Sequence, residues 1–321
     1  MAILITGAGL VGSQIARLEL ERGERPVLMD VVPQPAALAE IVDVNKVGLV
    51  KGDVLNPLDL AKVIKEEEIT RVIHTAANPM LTVGAQQSPY TAIRLNIVGT
   101  VNVLEAARIF ELERVVFCSS FVLYNFISGG EDRGADGKEE AYPRPSTIYA
   151  STKQACESIG LNYTWLGIDF VAVRFSAVFG PWRGLGGGGP SNLFREMLEK
   201  SLRGEESTFP KRRMEWVYSK DAAQGAVKAC HAEGLQSRVF NIGMGELYDG
   251  EEIANIVQRV VSKARVKTVE PPRGAGPSPK LSKEPGDLSR SRSELRYEPE
   301  YTMEQAIQDY VKFLEAPQGA Q

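Results

Sequence analysis

Over the first 180 positions, apolar residues alternate between two patterns. Ala2–Thr6 is a short, unbroken, β-branched run, and residues 26–30, 47–50, 71–74, 114–118 and 170–174 repeat the theme. Continuous apolar runs of this length predict strands buried on both faces, as in a parallel sheet. Between them, residues 13–22, 58–67, 92–110 and 148–166 space their apolar positions three and four apart, which predicts helices. Strand–helix alternation of this kind predicts a doubly wound parallel sheet.

The rhythm breaks at three places. Residues 128–146 are polar and rich in Gly, Glu and Pro, and residues 271–285 are rich in Pro and Gly, so both are expected to be irregular connections. Residues 181–190 contain four consecutive glycines at 186–189 and are expected to form a flexible substrate-side loop or lid. Helices are predicted at 192–203, 249–263 and 303–314. The expected fold class is α/β. Residues 1–180, with returning segments near 214–244, form the main domain, and residues 181–321 mainly form a smaller α/β C-terminal lobe.

Composition narrows the classes. With 41 acidic and 37 basic residues among 321, and no long run of one sign, the chain carries no electrostatic footprint for nucleic acid. No apolar run reaches the roughly 18–20 residues of a membrane helix. Met1 to Gly7 lacks a basic segment and leads into a turn, so it is expected to be a strand and not a signal peptide. Cys118, Cys156 and Cys230 are widely spaced, contain no CxxC, and are expected to be reduced and buried in a cytoplasmic protein. Only His74 and His231 occur, so no metal site is expected. His74 is expected to be packed and hydrogen-bonded, and His231 to lie at the surface.

Gly7-Ala8-Gly9-Leu10-Val11-Gly12 is a GxGxxG between a predicted strand and a predicted helix. Glycines allow a tight turn and close backbone approach to a pyrophosphate, which the N–H groups of the helix start can bind. This context predicts a Rossmann-type dinucleotide site. Asp30 ends the second predicted strand, 18 positions after Gly12. A carboxylate there accepts ribose hydroxyls and repels a 2′-phosphate, which favours NAD over NADP. Tyr149 and Lys153 stand four apart, on one helical face. A cation about 4 Å from the phenol would lower its pKa by about three units, towards the range of a useful base.

Together these residues resemble the extended short-chain dehydrogenase/reductases, the NAD-dependent epimerase/dehydratase family. The resemblance extends through Gly52-Asp53-Val54, His74-Thr75-Ala76-Ala77, Asn96-x-x-Gly99-Thr100, and Ser119-Ser120 followed by Tyr124. It continues through Pro145-x-x-x-Tyr149-x-x-x-Lys153, Arg174 to Pro181, Trp216 to Asp221, Phe240 to Gly243, and Asp287 to Pro299. It implies catalysis by Ser120, Tyr149 and Lys153. Cofactor contacts are implied at Gly7, Gly9, Leu10, Val11, Gly12, Asp30, Asp53, Val54, Ala76, Ala77, Asn96, Tyr149 and Lys153. Candidate substrate contacts are Phe121, Ala177, Asn192 and Arg213. The implied assembly is a homodimer in which helices 96–110 and 148–166 pair in a four-helix interface.

The chain also departs from the family pattern. Its glycine turn is one residue shorter than GxxGxxG. Ala177 and Met214 stand where relatives acting on nucleotide sugars carry a diphosphate-binding Asn and Arg. A further Arg is missing near Glu284, although Arg212, Arg213 and Arg273 could compensate. These departures favour a small-molecule substrate without a nucleotide, a hydroxy or keto compound such as a sugar acid or polyol derivative. The alternatives are a UDP-sugar 4-epimerase or dehydratase, and an inactive dinucleotide-sensing protein.

Overall fold

The computed structural model describes residues 1–77, 81–124, 137–141, 143, 145–270 and 284–317. The first half runs β1 (Ala2–Thr6), α1 (Leu10–Glu21), β2 (Arg25–Asp30), α2 (Pro35–Ala39), β3 (Gly48–Lys51), α3 (Pro57–Glu66), β4 (Ile69–His74), α4 (Leu81–Gln87), α5 (Pro89–Ile93) and α6 (Gly99–Ile109). It continues through β5 (Arg114–Ser120), α7 (Ile148–Tyr163) and β6 (Phe170–Phe175). The second half runs β7 (Ala177–Phe179), α8 (Gly188–Arg203), β8 (Glu206–Pro210), β9 (Met214–Tyr218), α9 (Ser219–His231), β10 (Val239–Ile242), β11 (Leu247–Tyr248), α10 (Gly250–Val260), β12 (Arg265–Val269), α11 (Ser289–Leu295) and α12 (Met303–Glu315).

Seven parallel strands form the main sheet in the order β10-β6-β5-β4-β1-β2-β3. One face is covered by α1 and α9, through Ile15, Ala16, Ala222 and Ala226, and the other by α3, α6 and α7, through Leu60, Val63, Leu104 and Cys156. The predicted apolar runs are thus the strands buried on both sides. Successive strands spread to opposite sides of β1, so the direction of winding reverses between β1 and β4. A crevice opens there at the carboxyl ends of the strands.

The smaller lobe packs around Phe179, Phe194, Phe209, Trp216 and Tyr310. It contains β11-β9-β7 and the pair β12-β8. Register ties it to the sheet: Ser120 stands beside Phe175 across β5 and β6, and two residues further Ala177 pairs with Trp216 of β9.

Three expectations change. The helix expected over 92–110 is α5 and α6 joined by a π turn at Arg94–Val98. That turn leaves the Asn96 carbonyl to accept from the Thr100 hydroxyl at 2.6 Å and the Cys156 thiol at 3.1 Å. The glycines at 188 and 189 fall in the start of α8, which follows left-handed Gly187, has Gly188 still at φ +75, and carries Pro190 in its first turn, where a missing N–H costs nothing. The expected free lid is instead a tied strap. Trp182 is buried against Leu10 and Ile41, its indole donates to the Leu185 carbonyl at 3.0 Å, and Arg183 pairs with Glu40 and with carbonyls at the end of α12. Of the other loops, residues 125–136 and 271–283 lie outside the described residues.

His231 is not a surface residue. Its Nε2 faces the fully buried Glu19 of α1 at 2.9 Å, and Arg71 Nη1 lies 3.4 Å from its Nδ1. An arginine can only donate, so Nδ1 accepts and Nε2–H points at Glu19. Cys230 adjoins this pair. The imidazole's two nitrogens are therefore already engaged, beside a guanidinium that would repel a cation, so the trio is a helix-to-helix clasp between α1 and α9.

Candidate active site

The glycine turn lies at the switch point. Gly7 has φ +94, the left-handed region that glycine takes without strain. A side chain on Gly12 would overlap the Gly7 carbonyl oxygen, whereas one on Gly9 would meet nothing within 4 Å. The turn is packed beneath and open above. No side chain caps α1, so the amides of its first turn at Leu10, Val11 and Gly12 face the crevice without helical acceptors. An uncapped helix start behind an open glycine fits the pyrophosphate of a dinucleotide.

Asp30 sits half-buried beside this turn. One oxygen accepts Ala8 N–H and the other Val32 N–H, both at 2.9 Å. It therefore braces the turn and keeps one free lone pair on each oxygen for a ribose. Asp53 accepts Leu55 N–H at 2.8 Å, shaping the turn that holds the buried Val54. Thr75 donates to the Thr6 carbonyl at 2.8 Å, and the Ala76 backbone abuts Gly7. Ala76 thus lies beside the glycine turn just past the end of β4, and Ala77 after it is half-buried. His74 below them is a hydrogen-bonded core residue. The Thr100 hydroxyl gives its proton to Asn96, so it accepts from His74 Nε2–H at 3.0 Å while Nδ1 accepts from Thr6 at 2.6 Å. Burial and the charge of Lys153 push this imidazole down to about 3.

On the other side of the crevice, Thr147 caps α7 and places Tyr149 in its first turn. Tyr149 and Lys153 are both buried. The Lys153 ammonium donates to the Cys118 carbonyl at 2.6 Å and lies 5.7 Å from the Tyr149 ring centre. Burial lowers the lysine's pKa and raises that of the phenol above its ordinary value. The phenol is therefore not lowered by its neighbour as the spacing alone suggested. The cation is aimed at β5 rather than at the hydroxyl, and the loss of water outweighs it. Ser120 ends β5 half-buried, its Oγ accepting Val122 N–H at 3.3 Å.

A buried network that the sequence reading missed supports these groups. Arg174 of β6 pairs with Glu157, one turn beyond Lys153, at 2.7 Å, and donates to the Tyr124 hydroxyl at 2.7 Å. Tyr124 donates to Asn241 at 2.8 Å. The segment after Ser120 and the helix bearing Tyr149 are thereby fixed to one strand. Glu157 continues the four-residue spacing of Tyr149 and Lys153, a signal legible in the sequence.

The substrate-side candidates are more dispersed. The ring of Phe121 meets Tyr124 edge-on at 5.4 Å. Ala177 and Met214 lie half-buried against the lobe core. Asn192 holds Arg195 at 3.4 Å near the start of α8. Arg213 is exposed. Arg212 is half-buried, and among the described residues its guanidinium has no partner; burial alone lowers its pKa. Arg273 lies outside the described residues.

A doubly wound sheet with an open glycine turn at its switch point defines a dinucleotide-binding α/β enzyme. The chain belongs to the NAD dependent epimerase/dehydratase family, whose profile matches residues 3–243. It is an NAD-dependent enzyme, as that family is. UDP-glucuronate 4-epimerase 1 of Arabidopsis thaliana is 25% identical over 341 residues, covering 98% of this chain and 76% of that protein. UDP-glucose 4-epimerase of Thermus thermophilus, solved in complex with NAD, is 25% identical with a TM-score of 0.79, over 99% of this chain and 100% of the other. A partial consensus L-threonine 3-dehydrogenase gives a TM-score of 0.83 at 24% identity, over 99% and 100%. The fold is therefore shared by proteins named for different substrates. Among the described residues, no helix is long and apolar enough to cross a membrane.

Proposed function

We propose that the chain is a UDP-sugar 4-epimerase working as a cytoplasmic homodimer. The observation that carries this is the match to UDP-glucuronate 4-epimerases along 98% of the chain. It reverses the preference for a non-nucleotide substrate drawn from Ala177 and Met214. Arg212, two residues before Met214 and with no partner for its guanidinium among the described residues, offers that group for a phosphate in their place.

In this reading, residues 1–180 with 214–244 hold NAD and the remainder holds the sugar. The amides of the Gly7–Gly12 turn take the pyrophosphate, Asp30 the adenosine ribose, and Asp53 and Val54 the adenine. Ala76, Ala77 and Asn96 line the inner wall, and Tyr149 and Lys153 hold the second ribose. When bound, NAD supplies a two-electron acceptor and a positively charged ring. Tyr149 takes the proton of the sugar hydroxyl and later returns it, after the transient ketone has turned its other face. Ser120 holds the same oxygen by a hydrogen bond. Lys153, locked to Cys118, keeps a positive charge beneath the phenol. Calorimetry with UDP tests the substrate class: micromolar binding is expected, and no binding at millimolar UDP contradicts it.

Two further outcomes are expected. Asp30→Ser removes the charge that repels a 2′-phosphate, so the ratio of NADP to NAD dissociation constants should fall at least tenfold. Both affinities should weaken, because Ala8 also loses its acceptor. An unchanged ratio in a binding titration contradicts the assignment. Exposed apolar side chains support the dimer: Val98 and Ile109 within 96–110, and Trp165 and Leu166 at the end of 148–166. Light scattering at micromolar protein should give twice the chain mass, and a monomer contradicts it.

A further inference from the structure

Glu215 is a buried carboxylate with no described cation bonded to it, and the catalytic reading leaves it without a role. It is the second residue of β9, beside Ser176, where the lobe meets the carboxyl ends of β6 and β10. One oxygen accepts Gly245 N–H at 3.0 Å, from the turn after β10. The other accepts Gly286 N–H at 2.6 Å, from the segment leading into α11. A side chain on Gly286 would begin 2.5 Å from the ring of Phe121, the residue after Ser120. A side chain on Gly243 would overlap the carboxylate itself. One acid thus joins three segments that are distant in sequence, next to the end of the strand bearing Ser120.

We propose that Glu215 is a positioning residue: its carboxyl group docks the substrate lobe against the Gly286 segment and Phe121, and so sets substrate affinity without touching the reacting atoms. Both bonds come from backbone amides, which any residue supplies, so the specificity lies in the acid. The acid can accept both N–H groups in either form, because when protonated it accepts one on its carbonyl oxygen and one on the remaining lone pair of its hydroxyl oxygen. The side-chain amide of glutamine can accept only one, because its –NH2 is a donor.

The docking is proton-linked. Burial pushes the Glu215 carboxyl from an ordinary 4.5 up to about 7, against the opposing effect of the two amides. The groups facing it do not reverse this. The Tyr297 hydroxyl donates to the Gly243 carbonyl at 2.9 Å and is itself pushed up by burial and by Glu215. Arg292, near Gly245, is paired with Glu298 at 2.9 Å. The Ser176 hydroxyl is buried and, among the described residues, without a partner. The docked acid therefore holds its proton more tightly than the exposed acid. Docking is at full strength below about 4.5 and weakens as pH rises to about 7.

Hydrogen exchange of the peptides containing Gly245 and Gly286 tests this without substrate. In the wild type, protection corrected for intrinsic rate should be about tenfold or more greater at pH 5.5 than at pH 8. Glu215→Gln cannot ionise, so its protection should not change with pH and should be lower than the wild type's at pH 5.5. Glu215→Asp keeps the titratable carboxyl but is one methylene shorter, so it should retain pH dependence with reduced protection. A second arm, resting on the substrate reading above, measures turnover of UDP-glucuronate. Glu215→Gln should raise KM about 10–100-fold, with kcat within a few-fold and the NAD dissociation constant unchanged. Wild-type protection that ignores pH, or a Glu215→Gln enzyme with wild-type KM, overturns the proposal. Failure of the wild type to turn over UDP-glucuronate overturns the substrate reading alone, since the exchange arm stands apart from it.

Discussion

Tyr149→Phe is expected to lower turnover by about 10²–10⁴-fold while leaving NAD affinity within a few-fold. The substitution keeps the ring, which packs against Ala85 and Ala92, and removes only the hydroxyl. Buried groups usually resist such changes through lost hydrogen bonds, but among the described residues none is made by this hydroxyl, so the fold should be unaffected. The phenol's pKa is raised by burial, and its protonated form dominates at neutral pH in the folded chain. Its activity as a base therefore depends on the positive ring of bound cofactor together with Lys153. Rapid-quench turnover of the variant, with melting temperature as the control for folding, checks this. Near-normal turnover would remove Tyr149 from the proton path.

Gly12→Ala is expected to have the second large effect, and through binding rather than chemistry. The new methyl group would overlap the Gly7 carbonyl oxygen and crowd the Ile5 side chain. Neither neighbour can yield easily: Gly7 N–H is bonded to the Met29 carbonyl at 2.8 Å, and Ile5 lies at the centre of the sheet. Relief must come from lifting the first turn of α1 away from β1, which displaces the amides offered to the pyrophosphate. Overpacking of this kind costs about 1–3 kcal/mol, so NAD affinity should fall about 10–100-fold. Gly9→Ala is the matched control, since nothing lies within 4 Å of its new methyl in the folded chain. That methyl would point into the cofactor's own space, so Gly9→Ala should weaken NAD without lowering the melting temperature. Gly12→Ala should lower both. Unchanged NAD affinity in Gly12→Ala would contradict the assignment of the turn.

The two variants also show why some of the protein is legible in its sequence. A strand buried on both faces needs an uninterrupted apolar run, so β1, β2, β4, β5 and β6 are visible within a residue or two of their ends. The turn between β1 and α1 needs glycine at defined positions, and Asp30 must end the next strand. These are local demands, written in local residues. The lobe sheets are different. β7 and β11 have three and two residues, and each exists because β9 lies between them. No window of sequence that short carries a period.

The same division holds among the side chains. Tyr149, Lys153 and Glu157 share one helix face, and their spacing announces them. Glu215 acquires its partners from residues 30 and 71 positions away, and His231 from a glutamate 212 positions away. Local polarity marks His231 as a surface residue and nothing local singles out Glu215; the packing of α9 on α1 buries the first, and that of β9 beside Gly245 and Gly286 the second. Distance also explains the phenol. Four-residue spacing places Lys153 on the correct face, but the carbonyl of Cys118 decides where its ammonium points.

As a UDP-sugar 4-epimerase, the chain should invert a sugar hydroxyl and leave no reduced cofactor behind. A proton NMR time course of the purified protein with NAD and UDP-glucuronate or UDP-glucose, followed in parallel by absorbance at 340 nm, tests it directly. A second UDP-sugar differing at C4 should appear and approach a constant ratio, with no net rise in absorbance. Stoichiometric NADH with a keto product would contradict it, as would an unchanged sugar spectrum alongside turnover of a hydroxy acid that carries no nucleotide.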